Sequence, residues 1–209
     1  HVRVVRTACV LGAAVAIGFL YPVSAFAQTL RAVSAASGRI NGGVLTVTGT
    51  SAADNLGLRL RFSDPSTLEV VDRNTNTVVL SFARANFNTI DVRTLGGDDS
   101  IVIDQSNGAF TTTDATTLDG GGGNDTLQGA DGNEVLIGGA GSDVVIGGRG
   151  NDVAFLGTGA DTFVWNLGDG NDVVEGQDGT DTLLFNGSNA NETLDLSANG
   201  SRRRLLRAV

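Results

Sequence analysis

Seven acidic side chains recur at fixed spacing in this chain: Asp125, Glu134, Asp143, Asp152 and Asp161 in steps of nine, then Asp172 and Asp181 after two extra residues, Trp165 and Asn166. Each is the sixth residue of a phrase Gly-Gly-x-Gly-x-Asp-x-U-x, where U is a large apolar residue. Gly120-Gly121-Gly122-Gly123-Asn124-Asp125-Thr126-Leu127-Gln128 states it in full. A turn tight enough to bring carbonyl oxygens inward forces positive φ angles, which a Cβ penalises, so glycine is expected at its second and fourth places. The acidic residue then aims a short carboxylate into the same space. The expected ligand groups are Gly121, Gly123 and Asp125; Gly132 and Glu134; Gly139, Gly141 and Asp143; Gly148, Gly150 and Asp152; Gly159 and Asp161; Gly170 and Asp172; Gly179 and Asp181. Such a donor set is hard and all oxygen. It suits calcium better than magnesium, which demands a stricter octahedron and keeps more water.

Two weaker copies lie upstream. Leu95-Gly96-Gly97-Asp98-Asp99 puts Asp99 in the acidic place and Ile101 in the apolar one, and Asp99 joins the expected metal ligands. Residues 49–56 echo the phrase only at Asp54 and Leu56, so Asp54 reads as an ordinary turn aspartate. Asp131, Asp169 and Asp178 occupy third or neighbouring turn positions, where carbonyl ligation is usual, and their side chains read as surface charge. Glu134, in a less regular turn with Ala130 and Asp131, should make the weakest site, and the insertion at Trp165 and Asn166 is the other point where binding should falter.

The elements that would hold these groups follow from the period. Nine residues divide into a six-residue turn and a three-residue strand. If alternate turns lie on opposite edges, two phrases make one coil of eighteen residues and units two apart stack directly. The expected partners are Asp125 with Asp143, Glu134 with Asp152, Asp143 with Asp161, Asp152 with Asp172, and Asp161 with Asp181. The U residues Leu118, Leu127, Leu136, Val145, Ala154, Phe163, Val174 and Leu183 would form an apolar ladder between two parallel sheets, with Ala154 a weak rung helped by Phe155 or Leu156. The fold class is therefore all-β: a right-handed parallel β-roll, a two-sheet solenoid of nonapeptide repeats, preceded by a short β-strand region.

Residues 28–93 carry that strand region, in which 44–48, 56–62, 68–71 and 78–82 alternate or cluster β-forming residues between polar turns. The roll is expected over 94–187 and a polar, then basic, tail over 188–209. Residues 1–27 read as a signal peptide, with Arg3 and Arg6, an apolar run over 8–19 and a small-x-small site at Ala25-Phe26-Ala27. Without that leader, no stable membrane span is expected.

Composition excludes several chemistries. The single His, Tyr and Cys are His1, Tyr21 and Cys9, all inside the leader, and the chain has no Lys or Met. Serine nucleophiles would lack an ordinary base, and zinc would lack its ligands. Of the 14 basic residues two lie in the leader, leaving twelve Arg against 23 acids, a balance of -11. Such a surface is a poor partner for nucleic acid and a good one for cations. Residues 118–185 hold twelve acids and one base, Arg149, so the metal-free solenoid is expected to be largely disordered.

These phrases resemble the RTX, or haemolysin-type, calcium-binding repeats that form parallel β-rolls in exported bacterial proteins. Asp161-Thr162-Phe163-Val164-Trp165 followed by Gly168-Asp169-Gly170-Asn171-Asp172 also resembles the segment with which such arrays approach their end. The resemblance implies calcium binding, an extracellular setting and folding coupled to export. An amino-terminal leader and a basic tail depart from the usual export pattern, and no catalytic companion module of these repeats is visible. The combined reading is a secreted, non-enzymatic calcium-binding protein with a structural or interaction role, its further partner an extracellular polymer or cell surface. The alternatives are part of a carboxylate-dependent polysaccharide-modifying enzyme, or a surface adhesin fragment.

Overall fold

A computed structural model describes residues 36–187 in full and the backbone of Thr193–Asn199 and Arg202–Ala208. The expected leader lies outside the described residues, as do the side chains of the basic tail. Among the described residues there are no α-helices, only strands and a single 3-10 turn at Arg84–Asn86, and no helix is long and apolar enough to cross a membrane.

The strands are β1 (Ser37–Asn41), β2 (Val44–Thr48), β3 (Asn55–Arg61), β4 (Asp64–Asp72), β5 (Thr77–Ala83), β6 (Thr89–Arg93), β7 (Ser100–Asp104), β8 (Ala115–Gly122) and β9 (Thr126–Gln128). They continue as β10 (Glu134–Ala140), β11 (Val144–Ile146), β12 (Val153–Gly159), β13 (Thr162–Asn166), β14 (Val173–Gly179), β15 (Thr182–Asn186), β16 (Thr193–Asn199) and β17 (Arg202–Ala208). One sheet runs β1-β2-β6-β8-β10-β12-β14 and the other β15-β13-β11-β9-β7-β3-β4-β5, while β16 and β17 form an antiparallel pair. From β6 onward, successive strands of 89–187 fall alternately into the two large sheets, so the chain winds between them as a two-sheet parallel β-roll.

Register follows the period read from the sequence. Leu118 lies opposite Leu136 and Leu136 opposite Ala154, while Leu127 lies opposite Val145 and Val145 opposite Phe163. These rungs are at most 1 % exposed, including Ala154, whose small volume is supplemented by the buried Leu156. Across the two-residue insertion the offset lengthens to twenty, with Ala154 opposite Val174 and Phe163 opposite Leu183, and pairing does not break. The insertion instead lengthens β13, so that buried Trp165 stacks on Phe185 with ring centroids 4.6 Å apart.

The two ladders reach further back than the period does. Val47 pairs with Val92 and Val92 with Leu118 in one sheet, and Leu56 pairs with Ile101 and Ile101 with Leu127 in the other, all in parallel register. Residues 44–61, read from the sequence as a strand region ahead of the solenoid, therefore supply its first coil, and neither sheet is interrupted at 93/94. The period is hidden because the chain leaves the roll after β3 for the antiparallel strands β4 and β5 before returning at β6. These first coils bury more apolar side chains than the later ones. Leu45, Leu58, Leu60, Leu68, Val70, Phe87, Ile90, Ile103 and Phe110 are all buried there.

Candidate metal centre

Six turns stack along one edge of the roll: residues 49–54, 94–99, 120–125, 138–143, 156–161 and 176–181. Their sixth residues form a column of carboxylates joined by one repeated hydrogen bond. The backbone N–H of Asp54 donates to Asp99 Oδ1 at 2.6 Å, that of Asp99 to Asp125 at 2.8 Å, that of Asp125 to Asp143 at 2.8 Å, that of Asp143 to Asp161 at 2.8 Å and that of Asp161 to Asp181 at 3.2 Å. On the opposite edge, turns 129–134, 147–152 and 167–172 repeat the arrangement. Glu134 N–H donates to Asp152 Oδ1 at 2.7 Å and Asp152 N–H to Asp172 Oδ1 at 2.9 Å. All five stacked pairs expected from the eighteen-residue coil are brought together.

Below the head of each file, every carboxylate thus has one oxygen bound by the neighbouring coil, while Asp54 and Glu134, at the heads, accept an N–H within their own turns. The second oxygen is the chemically informative one. Oδ2 of Asp125, Asp143, Asp152, Asp161 and Asp172 is buried without a hydrogen-bond partner, on side chains no more than 4 % exposed. Asp99 Oδ2 and Glu134 Oε1 share that condition. Buried polar atoms without partners are costly and uncommon, so seven in two straight files mark positions designed around something else. Burial pushes Asp152 up to about 8 and Asp99, Asp143 and Asp172 up to about 6, while Asp125, Glu134 and Asp161 are raised as well. Loss of solvent is the first cause throughout. The N–H bond from the adjacent coil, or from Ala130 in the case of Glu134, opposes it, and neighbouring acids reinforce it at all seven, notably at Asp143 and Asp152. Among the described residues no three acidic side chains converge on one point. The donors are instead one carboxylate per turn, backed by the carbonyls of a crowded backbone, and that hard oxygen set fits a calcium ion.

These shifts give a signed expectation for the metal-free protein. A carboxyl group whose folded pKa is raised favours the fold most fully below its unfolded value near 4, and that contribution is lost as pH rises through the folded value. Without metal, the melting temperature should therefore fall between pH 5 and pH 8, with Asp152 titrating last. With saturating calcium the gain in melting temperature should be largest at pH 8 and shrink toward pH 5, where protons compete for the same oxygens. Calorimetry across this range in metal-free buffer checks it, and a flat apo profile would contradict it.

The glycines are needed chiefly for close approach. A Cβ on Gly123, Gly139, Gly141, Gly148, Gly150, Gly159, Gly170 or Gly179 would drive into a backbone carbonyl of the turn stacked on it, and Gly121 meets Leu95 O in the same way. Most of these have positive φ, as the turn demands. Gly132 and Gly170 are corrections to that expectation, because neither has positive φ and both are required by crowding alone. The first-place glycines, passed over in the sequence, face the site more directly: a Cβ on Gly120, Gly138, Gly147 or Gly176 would sit against Oδ2 of the aspartate five residues on, and one on Gly129 against Glu134 Oε2. Their repetition at the first place was the signal available. A second file missed from sequence runs along the fifth places, where Asn133 Oδ1 accepts from Asn151 N–H and Asn151 Oδ1 from Asn171 N–H.

Three expectations change in detail. Asp54 is no ordinary turn aspartate: it is 4 % exposed, heads the column, and its Oδ2 accepts the Thr50 N–H at 2.6 Å. The Trp165 and Asn166 insertion leaves the column intact, since the extra residues extend β13 with Trp165 buried, and the loop beyond, with Leu167 exposed, closes with Asn166 N–H on Asp169 Oδ2. Asp169 is thereby half-buried rather than free surface charge. Glu134 remains in file, its extra methylene accommodated as Oε2 accepts the Ala130 N–H at 2.9 Å. Above it the column stops, because Thr116, Ile90 and Leu45 occupy the successive positions of the earlier coils.

Comparison with known proteins agrees with this geometry. Residues 110–145, 128–163 and 166–195 match the family described as RTX calcium-binding nonapeptide repeat (four copies). The search of curated proteins finds no match to the chain.

Proposed function

We propose, from the match of residues 110–163 and 166–195 to RTX calcium-binding nonapeptide repeats, that the chain is a secreted protein whose roll assembles around calcium and serves a structural or interaction role outside the cell, without catalysis of its own. The ligands in this reading are Asp125, Asp143, Asp161 and Asp181 on one edge and Glu134, Asp152 and Asp172 on the other, together with carbonyls of the glycine turns. The observation that carries it is the double file of buried, unpartnered carboxylate oxygens. A bound calcium supplies positive charge where water and hydrogen-bond donors are both missing. The chain's own residues do the rest: the N–H of each coil orients the next carboxylate, and the apolar ladder holds the turns in register. Extracellular sites of this class bind at about 10⁻⁴ to 10⁻³ M, a range that leaves them filled outside a cell and vacant within it. That range and the leader-like sequence of residues 1–27 are what support the secreted part of this reading.

Asp143 is the most informative position. Its Oδ1 accepts from Asp125, its N–H donates to Asp161, and its Oδ2 is unpartnered. Asp143→Ala should weaken calcium binding at least tenfold and remove at least one bound ion in equilibrium dialysis. Asp131→Ala, at an exposed acid outside both files, should leave affinity within about twofold, the scale of an exposed charge. Equal loss in the two variants, or no binding by the parent chain up to about 10 mM, well above the range for such sites, would remove the proposal.

A further inference from the structure

Turn 94–99 lies outside the residues that match the repeats, and we propose that it is an additional divalent-cation site with Asp99 as its carboxylate ligand, the last site of its column toward the amino end. This rests on the reading of the repeats as calcium sites and extends it to a turn that departs from their pattern. The turn stacks on 120–125 in full register: Gly96 bridges Gly122 in parallel, Gly97 N–H donates to Gly122 O at 2.8 Å and Asn124 N–H to Asp98 Oδ1 at 2.8 Å. Its backbone takes the same shape, with φ of +76° at Leu95 and +111° at Gly97 against +93° at Gly121 and +125° at Gly123. A leucine rarely adopts such an angle. The independent observation is Asp99 itself, 3 % exposed with Oδ2 unpartnered, while the adjacent Thr94 hydroxyl donates to Gly120 O at 2.9 Å.

The next coil explains why the column ends here. Asp54 Oδ2 accepts both the N–H and the hydroxyl of Thr50, at 2.6 and 3.1 Å, so protein donors fill the role that a cation would take. The other edge stops differently, by turning apolar at Ile90 and Leu45. Asp99 is the one carboxylate in the first two coils of either edge that keeps the unpartnered oxygen of the repeats.

The test is calcium stoichiometry on the full chain. Asp99→Asn should bind one calcium fewer than the parent, and Asp54→Asn the same number. In crystals grown with terbium, the parent should show an anomalous peak beside Asp99 Oδ2 as well as peaks in the repeats. That map decides the matter if Asp99→Asn does not fold. Unchanged stoichiometry in Asp99→Asn, or peaks in the repeats with none at Asp99, overturns this site alone. A parent chain that binds no calcium overturns the reading of the repeats instead.

Discussion

Removing calcium at neutral pH should unfold residues 115–187 and leave the first coils standing. Within the repeats the core is thin, about one apolar rung per nine residues, and beside each rung runs a buried carboxylate whose second oxygen has no partner. Leaving a buried polar group unsatisfied costs about 1 to 3 kcal/mol, more when it is charged. Like charges about 5 Å apart add roughly 0.8 kcal/mol of repulsion in water and about 3 at an effective dielectric near 20. The six such groups of the two files within 115–187 together cost as much as the ordinary stability of a domain, about 5 to 15 kcal/mol. Calcium reverses the balance. Each site held at ten times its dissociation constant contributes about 1.4 kcal/mol by mass action, and the repulsion disappears with it.

The amino-terminal coils need no such help on one edge, because Leu45, Ile90 and Phe110 lie in the core where the later coils place acids and glycine turns. The expected circular dichroism change on chelation is therefore partial: a sizeable loss of β signal that excess calcium restores, above a residual signal from β1 to β7. Trp165, the single tryptophan of the chain, is buried against Phe185 in the calcium-dependent half. Its emission should shift red and weaken in step with the dichroism. Unchanged emission and unchanged melting temperature after chelation would show that the roll stands without metal.

Gly141→Ala should be nearly as damaging, for a steric reason. Gly141 has φ of +134° and its missing Cβ would fall on the carbonyl of Gly123 in the coil stacked on it. The backbone conformation alone costs about 1 to 3 kcal/mol for a residue with a side chain, and separating the coils breaks the Asp125 to Asp143 hydrogen bond as well. A loss of at least about 3 kcal/mol is expected in denaturant unfolding at saturating calcium. Gly168→Ala is the matched control. Gly168 also has positive φ, +98°, but nothing lies within 4 Å of a Cβ there, so its cost should stay near 1 to 2 kcal/mol. Similar losses in both would mean that turn conformation, and not coil-to-coil approach, sets the glycine requirement.

Much of this site was readable from residue spacing. The nine-residue period specified which carboxylates stack, and the pairs from Asp125 to Asp181 and from Glu134 to Asp172 follow it without exception. Asp54 was misread because residues 62–88 leave the roll and return. Its partner Asp99 is 45 residues away, a separation no short period announces. Across the insertion at Trp165 the expected pairs hold, because a strand can lengthen by two residues while both sheets keep register. First-place glycines were overlooked because the sequence shows that they repeat but not what faces them.

The linear order of residues was sufficient for the all-β roll, the identity of its stacked acidic residues and the preference for a hard cation, because each depends on local turn chemistry repeated at a constant interval. Where the two carboxylate files begin, and which oxygen of each carboxylate is left for a metal, emerged only in three dimensions. Those properties depend on which backbone N–H lies against which side chain across coils 18, 20, 26 or 45 residues apart, and no spacing in the chain records that contact.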